Sequence, residues 1–383
     1  MKYFIQILIF SFLINPWIYS QKYFPEKQGK WETKTLQEFK INSNDLTNAI
    51  AFAKENEYSG SKDLRIAILK GFEREPYHKI LGPTKKRGEP TGMILKNGYL
   101  IASWGDTKRV DITFSVTKSY LSTIAGLAVD KGIFQVQDNV IKYVWDNKFD
   151  GKHNQQITWQ HLLNQSSDWS GILWGGYDWS DRPPMQGDVD DWKNRIYHKP
   201  GTHFEYNDVR VNLLAYSLLQ VWRKALPQVL KKYIMDPIGA SSTWRWFGYN
   251  NSWVNLDGNK VQSVTGGGHS GGGLFINTED HARFGLLFLN KGNWKGNQLI
   301  SQQWITNATQ SSPSQVNYGF MWWLNKKGTS RHWEGIGEDV FYAAGFGGNF
   351  IVIVPDMDMV IVTRWLEPSK IGVFVKKIIH ALP

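Results

Sequence analysis

The chain reads as an α+β protein: one antiparallel sheet flanked by helices and built from both chain ends, with a mostly helical lobe inserted between them. Three observations carry that reading. A hairpin pattern occupies residues 92–104, and three more strand-like runs occupy 318–323, 349–354 and 359–365. Across 133–254 strand signals fade and helix-like segments take over. Strands near both termini that must bury an apolar face join most simply in one sheet, with the helices packed beside it. The expected division is a discontinuous α/β domain, 21–132 with 255–383, and a helical lobe, 133–254.

Residues 1–20 have the pattern of a signal peptide. Lys2 supplies the positive charge, 3–13 is apolar and uncharged, and Ser20 is the small residue before the expected cleavage point. The apolar run is shorter than the roughly 20 residues that cross a bilayer. A periplasmic or secreted protein without stable membrane insertion is therefore expected.

Next comes a helix over 46–55, capped by Ser43, Asn44 and Asp45, and a short apolar run at 64–69 that reads as a strand. Asn97-Gly98 marks the turn of the 92–104 hairpin, since both residues accept the positive φ of a tight turn. Leu121, Ile124, Ala125, Leu127 and Ala128 recur at helical spacing, so a helix starts near Ser115 and stops at Gly132. Helices are expected over 157–163, 207–219, 226–234 and 278–289. Residues 355–358 join the last two strands, and an amphipathic helix over 371–381 closes the chain.

Composition removes several chemistries. The 383 residues include no cysteine, which excludes disulfides, thiolate zinc sites and cysteine nucleophiles. Nine histidines show no metal-ligand spacing, so no metal and no cofactor is expected. The formal charge of +10 is scattered, with only Lys85-Lys86-Arg87 dense, which argues against nucleic acid and suits an exported protein facing an anionic envelope.

The candidate chemistry centres on Ser115 and Lys118. Positions i and i+3 share a helical face, so the amine lies beside the hydroxyl. A serine hydroxyl becomes a nucleophile when a neighbour takes its proton, and burial with the positive helix end pushes a lysine toward the neutral form that does so. The plain alternative is a helix-capping serine beside a solvated charge. Tyr206, just ahead of a helix, offers a phenol for proton relay, or else a packed aromatic. The run Ala343-Ala344-Gly345-Phe346-Gly347-Gly348 admits close approach of a substrate and leaves an N–H facing that of Ser115, or else forms a strand corner.

Ser115-x-x-Lys118, then Tyr206-Asn207-Asp208, then a glycine-rich strand lead resembles the serine β-lactamase / penicillin-binding protein superfamily. The flanks, 114–119, 157–163, 272–274 with 280–285, and 347–349 ahead of 354–355, are similar to its class C-like branch of esterases and 6-aminohexanoate-dimer hydrolase-like proteins. The resemblance spans about 92–365 and implies a β-lactamase/transpeptidase-like fold. It also implies an acyl-enzyme on Ser115, acid/base work shared by Lys118 and Tyr206, and an oxyanion hole from the N–H groups of Ser115 and Phe346.

The departures bear on substrate. Asp208 stands where that superfamily usually has asparagine; it donates no amide hydrogen bond, and its charge disfavours an anionic substrate. Ala344 and Gly345 stand in a motif that usually carries a cation and a hydroxyl, so the grip on a penicillin or D-alanyl carboxylate is missing. A small-molecule ester or non-peptidoglycan amide is the expected substrate. Asp208, Ala344, Gly345, His269 and Trp174 are the expected binding residues; Trp179, Trp322 and Trp323 are further aromatic candidates, and His269 also reads as a turn-stabilising histidine. Two readings stay open: an exported serine hydrolase, or a catalytically silent relative binding an envelope glycan or peptide through its tryptophan-rich loops.

Overall fold

The computed structural model describes residues 22–27 and 30–383, so the leader expected over 1–20 lies outside the described residues. Six strands form the central sheet: β1 (Thr91–Lys96), β2 (Tyr99–Trp104), β3 (Trp323–Leu324), β4 (Phe341–Gly345), β5 (Asn349–Val354) and β6 (Met359–Arg364). Their order is β3-β4-β5-β6-β1-β2, antiparallel throughout. Thr91 faces Arg364 and Lys96 faces Met359, which joins the early hairpin to the late strands as the two-ended pattern predicts.

Both faces of this sheet are covered. Along β5, Phe350, Val352 and Val354 point into a cluster with Leu46 and Ala49 of α1 (Ser43–Glu55) and Phe374, Val375 and Ile378 of the C-terminal helix Ile371–His380. Ile351 and Ile353 point the other way, toward Tyr120 and Ile124 of the helix Thr117–Asp130 and Phe284 and Leu287 of the helix Thr278–Leu289. A strand buried on both sides has no reason to alternate, which is why 349–354 is apolar almost throughout. Leu213, Leu214 and Leu218 of the helix Asp208–Trp222 belong to the same cluster as Ile124 and Ile351, so segment 133–254 shares a core with one sheet face.

Some local expectations are corrected. Residues 64–69 are not a strand but part of α2 (Leu64–Gly71): Asp63 Oδ1 accepts from Arg65 N at 2.9 Å, and Leu64, Ala67 and Ile68 bury one helical face. A short apolar run is ambiguous by periodicity alone, and the cap decides it. The strand expected at 318–323 shrinks to β3, because Met321 turns into the left-handed region at φ 63°. The helices numbered in order from here are α3 (Thr117–Asp130), α4 (Asp208–Trp222), α5 (Thr278–Leu289) and α6 (Ile371–His380).

Candidate active site

The loop that delivers Ser115 is pinned from behind. Asp111–Ile112 pairs with Gly273–Ile276, and the buried Arg364 guanidinium donates to Asp111 O (3.0 Å), Ile112 O (2.7 Å), Ile276 O (2.5 Å) and Asn349 Oδ1 (2.9 Å). His281 of α5 reaches Thr113 Oγ1 at 2.8 Å and the Tyr120 hydroxyl at 2.9 Å. Phe114 then adopts φ 50°, rare for a bulky residue, and is held there between Phe346 (centroids 5.1 Å apart) and Trp365 (6.5 Å). A single 3₁₀ turn, Phe114–Val116, leads into α3. Ser115 is half-buried among buried neighbours and opens onto a cavity of about 790 Å³.

Lys118 Nζ donates to Ser115 Oγ at 2.9 Å, as the i, i+3 spacing predicts. The amine is 1% exposed, and its other contact is an ion pair with Asp208 Oδ1. Asp208 sits in the first turn of α4, where the helix dipole favours a carboxylate, and its N–H donates to Asp181. Its second oxygen accepts from Arg182 at 2.6 Å, and His269 Nδ1 lies 3.4 Å away. Arg182 also meets Asp181 at 2.5 Å, and His269 Nε2 meets Glu75 at 2.5 Å. Three carboxylates and three cationic side chains thus form one network behind the serine. Burial alone would raise the Asp208 carboxyl, yet Lys118, Arg182 and His269 hold it well below the ordinary carboxylate range. Burial would lower His269, but Asp181, Asp208 and Glu75 outweigh burial and the repulsion of Arg182, lifting it to about 9.

The loop carrying Asp181 and Arg182 is anchored by its own charges. Asp168 accepts from Arg195 at 2.6 Å and from Arg210 of α4 at 2.9 Å, and Asp178 accepts from Arg195 at 2.8 Å. Arg182 itself has φ 51° ahead of Pro183, which turns its side chain into the cavity wall.

Tyr206 lines the same cavity. Its ring lies 4.8 Å from Lys118 Nζ and 5.2 Å from the Arg182 guanidinium, and it stacks on Trp323 at 5.6 Å. Across the serine, the end of β4 passes close: a Cβ on Gly345 would overlap Thr113 O and sit 3.2 Å from Ser115 N. Ala344, Gly345 and Phe346 line the cavity. Among the described residues, neither Ser115 N–H nor Phe346 N–H is engaged by a backbone or side-chain acceptor.

Several expected binding residues stand elsewhere. Asp208 does line the Ser115 cavity, but it is 2% exposed and its two oxygens are taken by Lys118 and Arg182, so its charge is neutralised within the wall. Trp174 lies outside the Ser115 cavity: it lines a smaller pocket behind it with Tyr177 and Tyr249, and its edge packs on Tyr216. Trp322 is fully buried and Trp179 lines neither pocket, whereas Trp323 forms part of the cavity wall. His269 reaches the cavity, but as a member of the charge network. Sequence reasoning missed Arg182, Asp181 and Glu75, and the only local hint was Asp181-Arg182-Pro183-Pro184, a charged pair at the close of an aromatic loop.

A serine held by a lysine one turn on, set between an antiparallel sheet and helices and facing a tyrosine, defines a serine hydrolase of the β-lactamase/transpeptidase fold. The chain belongs to the Beta-lactamase family, whose sequence model matches residues 104–364. It is 23% identical over 280 residues to the 6-aminohexanoate-dimer hydrolase of Paenarthrobacter ureafaciens, covering 67% of each chain. In structure it resembles a family VIII carboxylesterase (TM-score 0.57, 14% identity, covering 89% of this chain and 99% of that one). It likewise resembles a β-lactamase/D-alanine carboxypeptidase from Pseudomonas syringae (TM-score 0.56, 13% identity, covering 89% and 100%).

Proposed function

We propose that this protein hydrolyses a small ester or non-peptidoglycan amide through an acyl-enzyme on Ser115. The observation that carries the reading is the 2.9 Å hydrogen bond from Lys118 to the half-buried Ser115 hydroxyl, which opens onto the cavity. Ser115 Oγ attacks the carbonyl carbon while its proton leaves and reappears on the departing oxygen or nitrogen. Lys118, tied to an ionised Asp208, orients the hydroxyl and offsets charge developing on Oγ. Tyr206, whose ring lies over that amine, relays the proton: its hydroxyl gives its own proton to the departing atom as it accepts the serine's. The N–H groups of Ser115 and Phe346 receive the oxyanion, and a water then releases the acyl group. Export fits the leader pattern at 1–20.

Ester or amide is favoured over β-lactam because β4 ends in Ala343-Ala344-Gly345, with no side-chain cation or hydroxyl beside the serine to bind a ring carboxylate. A panel of 4-nitrophenyl esters, small amides and nitrocefin tests this. Ester or amide turnover lost in Ser115→Ala, with nitrocefin slower by about a hundredfold or more, is expected where a charge-assisted anchor is absent. Nitrocefin as the best substrate overturns the preference.

A further inference from the structure

We infer that the mouth of the Ser115 cavity binds a carboxylate at the far end of an elongated substrate, with Arg331 and Lys376 as its receptors. The inference rests on the hydrolase reading above for the position of the reacting bond. It stands on where uncompensated positive charge is found. At the cavity floor every cation has a carboxylate: Lys118 and Arg182 on Asp208, Arg182 again on Asp181, His269 on Glu75. That interior is electrically closed and offers an incoming anion no free charge.

The mouth differs. Arg331, in the loop joining β3 to β4, and Lys376, on α6, both line the cavity. Both are exposed, and among the described residues neither has a carboxylate within 4 Å, although Lys327 in the same loop pairs with Glu338 at 3.6 Å. The two belong to one rim, because a Cβ built on Gly335 of that loop would lie 3.3 Å from Lys376 Nζ. Arg331 is also held in place: its guanidinium lies 3.9 Å over the Trp323 ring. A hydrogen bond to the Tyr342 hydroxyl steadies it further, and the remaining N–H groups of a stacked guanidinium stay available to a carboxylate.

The same residues connect mouth to floor. Arg331 covers Trp323, Trp323 stacks on Tyr206, and Tyr206 faces Lys118 beside Ser115. A chain lying along the Tyr206 and Trp323 rings would place one end at the serine and the other at Arg331. Glu334 is the one acidic side chain among the rim residues, leaving a net single positive charge there, which suits a monoanionic carboxylate better than a phosphate dianion.

The test compares 4-nitrophenyl hydrogen hexanedioate with its methyl ester, in wild type and in Arg331→Gln, Lys376→Gln and the double variant. Alongside it, calorimetry measures hexanedioate against its monomethyl ester binding to Ser115→Ala. Wild type should favour the anionic ester about tenfold in kcat/KM, as a charge-assisted pair implies. Each single variant should shrink that ratio, the double variant should bring it to about one, and the binding ratio should follow. Equal handling of both compounds by wild type, or a preference that survives the double variant, overturns the proposal. If neither ester is cleaved and a fluorophosphonate leaves Ser115 unlabelled, the hydrolase reading fails, while the calorimetric ratio still decides the carboxylate site.

Discussion

The guanidinium of Arg182 meets the outer oxygen of Asp208 at 2.6 Å, while the inner oxygen of the same carboxylate holds the ammonium of Lys118. One buried anion therefore joins the cavity wall to the group that touches the serine. Its consequences are measurable.

Asp208→Leu leaves Lys118 buried without its carboxylate, and breaking a buried pair in this way costs about 3–5 kcal/mol. Asp208→Asn keeps a carbonyl acceptor of the same shape and should lose less. Denaturant unfolding of both variants checks the order; equal stability in all three proteins would mean the pair contributes nothing to folding.

Tyr206→Phe preserves the ring that stacks on Trp323 and removes only the hydroxyl. If that hydroxyl moves the proton, kcat should fall about 10²- to 10⁴-fold with KM little changed. A variant as fast as wild type assigns Tyr206 to the wall alone.

Stability should depend on pH through two histidines. His269 is raised to about 9, so the folded state binds the extra proton between about 6.5 and 9, and that stabilisation is complete below 6.5 and lost as pH rises through 9. Burial, with Arg364 nearby, holds His281 well below its ordinary value, so its contribution is present above about 6.5 and lost as pH falls. Unfolding free energy measured across pH should peak near 6.5, and His269→Gln should flatten the alkaline side while leaving the acid side.

Gly345→Ala places a methyl against Thr113 O and the Ser115 backbone, and Gly267→Ala drives one into the Lys118–Asp208 pair. Each should lower kcat on the order of a hundredfold, since displacement of reacting groups by about 1 Å has that scale. Neither glycine has a positive φ, so the loss comes from contact alone; Gly258→Ala, which meets no neighbour but has φ 82°, carries only backbone strain and should leave kcat unchanged.

The parts of this site legible in the sequence are those set by local geometry or by chain order. Ser115 and Lys118 share a helix turn, so spacing alone brings them together. The strands 349–354 and 359–364 declare themselves because burial on both faces demands apolar runs, here 350–354 and 359–362. The motif places Asp208 at the cavity, but that its charge is spent within the wall depends on Arg182, 26 residues earlier. Glu75 and His269 meet across 194 residues with no periodic pattern linking them. Contacts of that kind follow from the packing of α2, the aromatic loop and the glycine turn against one another, and no window of sequence contains them.

The most direct test is to treat the protein with a fluorophosphonate, then locate the adduct by peptide mass spectrometry. A single adduct on Ser115, absent from Ser115→Ala, is the expected result. No adduct, or one mapped to another residue and unchanged in that variant, contradicts a nucleophilic serine at the head of α3.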